Sequence, residues 1–335
     1  MPRPSISFVF AVESGWLESL TNRAVESLRR WGGAFADAPV FAIVTRGPRL
    51  SSETLDTFKR LNVTYLYQPA KSRYSWFGYY HKPLVMAAAD TLAKTETIAW
   101  LDSDLLIASE PEALHLENGI DFTARPSAKE MGTCGPGDPL EPIWRANCRV
   151  LGIDIDTLPW VMSDDPQPQR IRVYWNSGVF VYRTSTAFGR RWLEASTKLM
   201  DARNYSRAKD FQLSFNEMGV LSLAMHANKM RWRELPRTHN YDINWRGLDR
   251  YREEDLRAAR IIHHHDLVVP KFWDKFLESV ERTHSPVAKW LTTLGPVKTD
   301  ASLISRIVRR AHKIYYNRAE RAYIDSCHIV EDGPN

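Results

Sequence analysis

The sequence predicts an α/β fold in which a mixed, mainly parallel sheet is flanked by helices and followed by a C-terminal helical extension. Two observations indicate this fold. Short apolar runs alternate with longer stretches of helical periodicity through the first third of the chain, as in strands joined by crossover helices. Two aspartates, Asp102 and Asp104, directly follow one apolar run, at the strand end where such sheets bind ligands.

The first half of the chain contains four predicted strands. Each apolar run is short enough for a buried strand, and the polar-apolar stretches between them repeat at helical spacing. In order, these elements are strand 6–12, helix 17–28, strand 40–44, helix 51–61, strand 63–67, helix 82–92 and strand 98–101. Residues 1–105 therefore form the first half of the predicted sheet domain.

The second half is less regular. Residues 126–170 are rich in proline, glycine and aspartate and predict a long functional loop. The other predicted elements are strand 120–124, strand 174–182, helix 187–199, helix 217–227 and a strand end at 261–265. Residues 106–275 form the second half of the sheet domain, so residues 1–275 form one predicted domain and residues 276–335 the helical extension.

Composition indicates a globular protein of a reducing compartment. The 335 residues include 44% hydrophobic residues and 12 tryptophans, enough for a large core. Cys134, Cys148 and Cys327 are too few and too widely spaced for a disulfide framework or a zinc knuckle. No apolar run approaches the roughly 18 to 20 residues of a membrane-spanning helix. We therefore expect a cytoplasmic protein.

The Asp102-Ser103-Asp104 motif suits a hard divalent cation. In an extended segment, residues two positions apart project to the same side, so Asp102 and Asp104 converge while Ser103 points away. A cation held there can carry the diphosphate of a nucleotide. The motif therefore predicts a nucleotide-sugar transferase.

Three further motifs follow in the chain. They are Asn176-Ser177-Gly178-Val179 at a strand start, Glu217-Met218 ahead of a helix, and His265 six positions before Lys271-Phe272-Trp273. With the aspartate motif, over residues 6–275, they resemble GT-A fold glycosyltransferases, and most closely the family of glycogenin and the bacterial lipopolysaccharide galactosyltransferases (glycosyltransferase family 8). The resemblance implies that residues 1–275 form the catalytic domain, with residues 1–105 as its nucleotide-binding half and residues 106–275 as its donor-sugar and acceptor half.

The resemblance implies a metal cofactor, Mn²⁺ or Mg²⁺, bound by Asp102, Asp104 and His265. An imidazole ligand suits Mn²⁺ better than Mg²⁺. His263 lies on the same face by alternation and is the alternative ligand, whereas His264 should point the other way. The cation acts as a Lewis acid that helps the nucleoside diphosphate depart.

The resemblance also implies a UDP-sugar donor and a set of donor-binding residues. Lys271 neutralises the diphosphate, and either Arg73 or Lys82 adds a positive charge. The remaining predicted donor contacts are Ala11, Val12 and Glu13 at the nucleobase, Asp102, Ser103 and Asp104 at the diphosphate, and Asn176, Ser177 and Gly178 at the sugar.

Glu217 and Asn176 are the predicted catalytic residues. The Glu217 carboxylate would act as a base or stabilise an oxocarbenium-like transition state. Glu217-Met218 replaces the family's usual Asp-Gln, which leaves retention or inversion open and makes Asp210 and Gln212 alternative counterparts. Leu235-Pro236 and residues 240–245 are predicted to shape the acceptor side, for a carbohydrate or glycolipid that the sequence does not identify.

Two other function classes compete with this prediction. The first is a nucleotide-sugar-binding protein on the same fold without catalysis, which the Glu217-Met218 departure allows. The second is a nucleotidyltransferase, which should show a glycine-rich, basic loop after the first strand. Residues 11–16 are poor in both glycine and basic residues.

The C-terminal extension carries the excess charge of the chain. Residues 302–323 contain six basic residues and one acidic residue, which accounts for the whole net charge of +5. A neutral body argues against nucleic-acid binding. Leu303, Ile304, Ile307, Val308, Ala311, Ile314 and Tyr315 form an apolar helical stripe. The stripe either lies on an anionic membrane, as in a peripheral protein at its inner face, or packs on the catalytic body.

Overall fold

The computed structural model describes residues 5–213, 216–243, 251–298 and 303–330, without the side chains of residues 303–306, 308 and 309. Residues 244 and 245 of the predicted acceptor stretch lie outside it. The strands are β1 (Ile6–Ala11), β2 (Val40–Val44), β3 (Val63–Tyr67), β4 (Thr97–Leu101), β5 (Leu105–Ile107), β6 (Phe122–Pro126), β7 (Trp160–Met162), β8 (Arg170–Arg172), β9 (Trp175–Arg183), β10 (Asn204–Tyr205), β11 (Trp232–Glu234), β12 (Tyr241–Asp242), β13 (Ile261–His263) and β14 (His328–Ile329). The helices are α1 (Trp16–Trp31), α2 (Ser52–Arg60), α3 (His81–Leu92), α4 (Glu141–Leu151), α5 (Phe188–Ala202), α6 (Asn216–Ala227), α7 (Glu253–Ala258), α8 (Trp273–Thr283), α9 (Ser285–Leu294) and α10 (Leu303–Asp325).

Seven strands form the central sheet, in the order β11-β6-β9-β4-β1-β2-β3. Strand β9 runs antiparallel to both of its neighbours, and the other strand pairs are parallel. Phe8 and Phe10 face one apolar cluster while Val9 faces another, so both faces of the sheet are buried. The predicted mixed, mainly parallel α/β fold is confirmed.

The reversed direction of β9 brings two motifs together. Because β9 is antiparallel to β4, the start of β9 lies beside the end of β4, with Val179 opposite Leu101. The backbone N–H of Asp102 donates to the carbonyl of Gly178 at 2.9 Å. The aspartate and Asn-Ser-Gly motifs, more than 70 residues apart in sequence, therefore share one edge of the sheet.

A second, three-stranded sheet brings the histidines to the same edge. Its order is β12-β13-β5, with β5 antiparallel to β13. Strand β5 begins immediately after Asp104, and its first residue, Leu105, lies opposite His263. The backbone N–H of His264 donates to the carbonyl of Asp104 at 3.1 Å. The short strand after the aspartates thus fixes their position relative to the histidines.

The interpretation of residues 126–170 as a long loop is wrong, because α4, β7 and β8 begin in this region. Helix α4 buries Ile143, Trp144, Asn147 and Cys148 on one face. That spacing is helical, with proline near the helix start where its missing N–H costs nothing. The surrounding glycines and prolines obscured an amphipathic pattern of only 11 residues.

Helices α8 and α9 pack beneath the three-stranded sheet. Phe276 and Leu291 share one apolar cluster with Leu106 and Ile262. The predicted boundary between the domain of residues 1–275 and the C-terminal extension falls inside α8. This boundary stays a prediction. Among the described helices, none combines the length and apolar character that crossing a bilayer requires.

Candidate active site

A cleft of about 470 Å³ opens where the central sheet meets the three-stranded sheet. It lies beyond the end of β4 and the start of β9, the edge predicted for ligand binding. Its lining residues are Tyr79, Lys82, Asp102, Asp104, Glu130, Asn176, Ser177, Gly178, Glu217, Met218, Asp242, His263, His265 and Asp266. This volume suits a small organic ligand.

Asp104, His263 and His265 converge on one side of the cleft. Asp104 Oδ1 is 3.3 Å from His263 Nε2, and Asp104 Oδ2 is 3.8 Å from His265 Nδ1. The three ligand atoms all lie within 4.8 Å of one another. Donors about 2.1 Å from a common ion stand about 3 Å apart, so this spacing suits a divalent cation.

The backbone at His265 explains why two histidines meet. Strand β13 ends at His263, and His265 has a φ of 50°, in the left-handed region that a residue with a Cβ rarely adopts. This turn stacks the two imidazole rings with centroids 4.2 Å apart. His264 is buried against Phe276 on the other side, and burial lowers its pKa to about 4.

Two residues of the stretch 240–245, which the sequence predicted only to shape the acceptor side, hold the histidines. Asp242 Oδ1 lies 2.9 Å from His265 Nε2, and Asn240 Oδ1 lies 3.0 Å from His263 Nδ1. Metal-binding histidines ordinarily have their second nitrogen held in this way. The detectable signal was the spacing Asn240-Tyr241-Asp242, in which two polar residues stand two positions apart where β12 begins.

Electrostatics reinforce this cluster. Burial alone would raise the pKa of Asp104, but the positive charge of the neighbouring histidines, His263 first, lowers it strongly. Burial would lower the pKa of His265, and the hydrogen bond and charge of Asp242 outweigh burial and raise it to about 8. Asp104 is therefore ionised at neutral pH, as a cation ligand must be.

Lys82 organises the opposite side of the cleft. Its Nζ lies 3.1 Å from Asp102 Oδ2, 3.0 Å from Ser177 Oγ and 3.3 Å from Glu217 Oε1. Burial would lower the pKa of Lys82, but the charges of Asp102 and Glu217 raise it, so the ammonium group stays protonated. Asp102 also accepts a hydrogen bond from Trp100 Nε1 at 2.8 Å. Each oxygen of Asp102 keeps a second lone pair that could bind a cation. The role of Asp102 as a metal ligand stays a prediction.

Glu217 lies at the start of α6 and is 6% exposed. Its Oε1 accepts a hydrogen bond from Ser177 Oγ at 2.6 Å, whereas its Oε2 is buried without a hydrogen-bond partner among the described residues. Burial raises the pKa of Glu217, against the lowering effect of Lys82 and Ser177. A carboxylate oxygen with spare acceptor capacity at a cleft wall suits a group that receives a substrate hydroxyl.

Asn176 and Gly178 shape the floor of the cleft. Asn176 Oδ1 accepts hydrogen bonds from the Gly178 N–H at 2.8 Å and from Asn240 Nδ2 at 2.9 Å. A Cβ at Gly178 would stand 2.7 Å from His263 Cε1, so only glycine fits here without displacing the imidazole. The predicted sugar-facing role of Asn176 stays a prediction.

The residues predicted at the nucleobase lie next to the aspartate motif. The buried Ser103 hydroxyl donates to the Ala11 carbonyl at 3.2 Å and contacts Thr21 Oγ1 at 2.8 Å, so Ser103 points away from the cleft. Val12 is in the core, and Glu13 forms an ion pair with Arg46 at 2.6 Å. Their contact with a nucleobase stays a prediction.

The other predicted residues lie outside the cleft lining. Arg73 is exposed and pairs with Asp201, while the exposed Lys271 lies 4.9 Å from the Phe272 ring centroid. Of the alternative counterparts to Glu217, Asp210 is exposed, and the backbone N–H of Gln212 lies 3.2 Å from Met131 Sδ. Glu217 is therefore the carboxylate of this group that lines the cleft.

The fold and the cleft define the chain as an α/β protein with an enzyme-like site at the strand ends of a mainly parallel sheet. The family model described as Rhodobacterales glycosyltransferase domain matches residues 8–229, about two thirds of the chain, and the chain belongs to that family. No protein in a curated collection of sequences matches it.

Similar solved structures include two glycosyltransferases. The apo structure of the bifunctional glycosyltransferase WbbM is 10% identical with a TM-score of 0.46, and the match covers 87% of this chain and 52% of that one. This chain thus spans about half of that protein's length. The apo structure of mouse xyloside xylosyltransferase 1 is 12% identical with a TM-score of 0.42, and the match covers 78% of this chain and 98% of that one.

Proposed function

We propose that the protein transfers a hexose from a nucleotide sugar, with UDP as the nucleotide, to a carbohydrate or glycolipid acceptor, using a divalent cation. The observation that carries this proposal is the convergence of Asp104, His263 and His265 in a cleft that also holds Lys82 and Glu217. A specific relation to the glycogenin and lipopolysaccharide galactosyltransferase family belongs to the same proposal.

The charge of the cleft supports a cation. Six carboxylates line it against one lysine and two histidines: Asp102, Asp104, Glu130, Glu217, Asp242 and Asp266 face Lys82, His263 and His265. A diphosphate entering this cleft would meet repulsion at close range, because partly buried charges are weakly screened. A divalent cation removes the repulsion and adds Lewis-acid activation of the leaving diphosphate.

The donor set favours Mn²⁺. Asp104 offers a carboxylate oxygen, and His263 and His265 offer imidazole nitrogens, whereas Mg²⁺ prefers oxygen ligands and retains its waters. The proposed ligands are therefore Asp104, His263 and His265, with Asp102 as a further predicted ligand beside them.

The two sides of the cleft have separate roles in this proposal. Lys82 holds Asp102 and Glu217 in place through its ion pairs. The Glu217 carboxylate, whose buried Oε2 has no hydrogen-bond partner among the described residues, accepts a proton from the attacking hydroxyl or stabilises positive charge developing at the anomeric carbon. Ser177 fixes the other carboxylate oxygen of Glu217.

Release of UDP tests the reaction class. The full-length protein is incubated with UDP-glucose, UDP-galactose and their N-acetyl forms, with Mn²⁺ or with EDTA. At least one donor should release UDP in Mn²⁺ and none in EDTA. Binding of donors without any UDP release would favour the competing non-catalytic sugar-nucleotide-binding function.

A peripheral contact with an anionic membrane, at the cytoplasmic face, is the second part of the proposal. Helix α10 is attached to the body through Tyr323, which donates to the Met200 carbonyl at 2.9 Å, and through Tyr316, whose ring lies 5.1 Å from the Arg46 guanidinium. Ile307, Ile314 and Tyr315 are 48% to 61% exposed. Helical spacing places Ile307 and Ile314 opposite Tyr316 and Tyr323, with Tyr315 to one side and exposed basic side chains beside them.

Vesicle sedimentation tests this contact with the full chain. The protein should sediment with phosphatidylglycerol vesicles and be released by salt, because each basic residue near the surface contributes about 1 kcal/mol. The Ile307→Asp/Ile314→Asp variant should lose most of this binding. The matched control Met162→Asp, at a residue that is 52% exposed on β7, should retain it. Equal binding by both variants, or none by the unmodified protein, would rule the contact out.

A further inference from the structure

We infer that Asn176 and Asn240 form an amide relay that fixes the ring proton of His263 on Nδ1 and keeps its Nε2 lone pair directed into the cleft. The role of that lone pair in holding a cation rests on the proposed function. The relay itself follows from hydrogen-bond directionality.

The relay starts at the backbone N–H of Gly178, which is a hydrogen-bond donor in every state of the protein. The N–H of Gly178 can only donate, and it lies 2.8 Å from a terminal amide atom of Asn176. An amide NH₂ group cannot accept this hydrogen bond, so the atom facing Gly178 is the Asn176 oxygen. The orientation of the Asn176 amide is thereby determined by its surroundings.

Asn240 transmits this orientation to His263. The Asn176 oxygen lies 2.9 Å from the terminal amide of Asn240, and two oxygens would repel each other at that distance. Asn240 therefore presents its NH₂ group to Asn176 and its oxygen to His263 Nδ1, at 3.0 Å. An oxygen acceptor requires a hydrogen on Nδ1, so Nε2 of the neutral imidazole carries the lone pair.

The result is an arrangement suited to a cation. When His263 is neutral, its Nε2 and Asp104 Oδ1 present two lone pairs 3.3 Å apart with no hydrogen to share. A cation between them satisfies both. Sterics add to the constraint, because the His263 ring lies against Gly178, where a Cβ would approach within 2.7 Å of Cε1. Asn176 and Asn240 are thus positioning residues.

The tautomer of His263 is the direct test. Long-range ¹⁵N–¹H spectra of ¹⁵N-histidine-labelled, metal-free protein are recorded at about pH 9, above the ordinary histidine pKa of about 6.5. His263→Gln identifies the signal. We expect Nδ1 protonated and Nε2 bare in the unmodified protein. Asn240→Leu removes the acceptor and should move the proton to Nε2. Asn240→Asp loses the NH₂ group that faces Asn176 but keeps an acceptor oxygen for Nδ1, so it should preserve the original tautomer.

Mn²⁺ affinity, measured by electron paramagnetic resonance, provides the second readout. It should fall about 10- to 100-fold in Asn240→Leu and much less in Asn240→Asp, the range found for residues that orient metal ligands. Asn317→Leu, an exposed change on α10, is the matched control and should bind like the unmodified protein.

The outcomes separate the relay from the cation site. A proton on Nε2 in the unmodified protein, which needs no variant, overturns the relay. An unchanged tautomer in a folded Asn240→Leu variant overturns it as well. If the expected tautomer is found but Mn²⁺ does not bind, the relay stands and the proposed cation site fails.

Discussion

At the scale of single residues, the site contains buried polar groups that have few hydrogen-bond or ion-pair partners. Glu217 is enclosed at the start of α6, where Lys82 and Ser177 satisfy one carboxylate oxygen. Burying a carboxylate costs free energy unless an opposite charge and hydrogen bonds compensate for the lost hydration. Its raised pKa, caused first by burial, is typical of groups with a catalytic role.

The change Glu217→Gln tests this role. The amide keeps the shape and can still accept a hydrogen bond from Ser177, but it cannot take a proton or stabilise positive charge. We expect kcat for UDP release to fall by about 100-fold or more, with little change in donor KM. Glu96→Gln, at an exposed residue before the opposite end of β4, is the control and should retain kcat. Full activity of Glu217→Gln would remove Glu217 from the mechanism.

His239 links stability to pH. It is 2% exposed, its Nε2 accepts a hydrogen bond from the Ala113 N–H at 3.1 Å, and burial lowers its pKa to about 4. The neutral form is favoured in the folded state, so its contribution is complete above the unfolded pKa of about 6.5 and is lost as pH falls toward 4.

Urea denaturation should therefore show about 2 kcal/mol less stability at pH 5 than at pH 7.5 from His239 alone. His239→Gln keeps an acceptor oxygen without a titrating group and should reduce the pH dependence by that amount. An identical pH dependence in both proteins would show that His239 does not titrate on unfolding.

At the scale of elements, the sequence predicted the main sheet well and the small sheet poorly. Strands such as β1 and β4 are buried on both faces, so their apolar runs were visible. Strands β5, β12 and β13 have two or three residues each and take their positions from pairing with one another. Strand propensity depends on such context. The positions of Asn240 and Asp242 were therefore missed, and the choice between His263 and His265 was left open.

Glu18 shows how a single side chain joins two elements. Its carboxylate accepts hydrogen bonds from the Gly15 N–H at the start of α1 and from the N–H and hydroxyl of Ser51, the N-cap of α2. Glu18→Ala should lower the free energy of unfolding by about 1 to 3 kcal/mol, because three donors lose the charged carboxylate that accepts their hydrogen bonds. Glu53→Ala, an exposed change in the first turn of α2, should cost less than about 0.5 kcal/mol. Equal effects in chemical denaturation would contradict this role of Glu18.

At the scale of the whole molecule, the site depends on topology more than on any single motif. Antiparallel β9 places Asn176 beside Asp102, and β5 returns from Asp104 to pair with the histidine strand. The place of the aspartate motif directly after a buried strand could be read from the sequence. The separation of the two aspartates could not, since Asp102 faces Lys82 and Asp104 faces the histidines only once both sheets have formed.

The central claim is that the cleft binds a nucleoside diphosphate through a cation at Asp104, His263 and His265. Isothermal titration calorimetry of UDP against the full chain, in Mn²⁺ and in EDTA, tests it most directly. We expect binding in Mn²⁺, none in EDTA, and at least about tenfold weaker binding in Asp104→Asn, since this change removes the anionic ligand. Equal UDP affinity in Mn²⁺ and in EDTA, unchanged by Asp104→Asn, would contradict the claim.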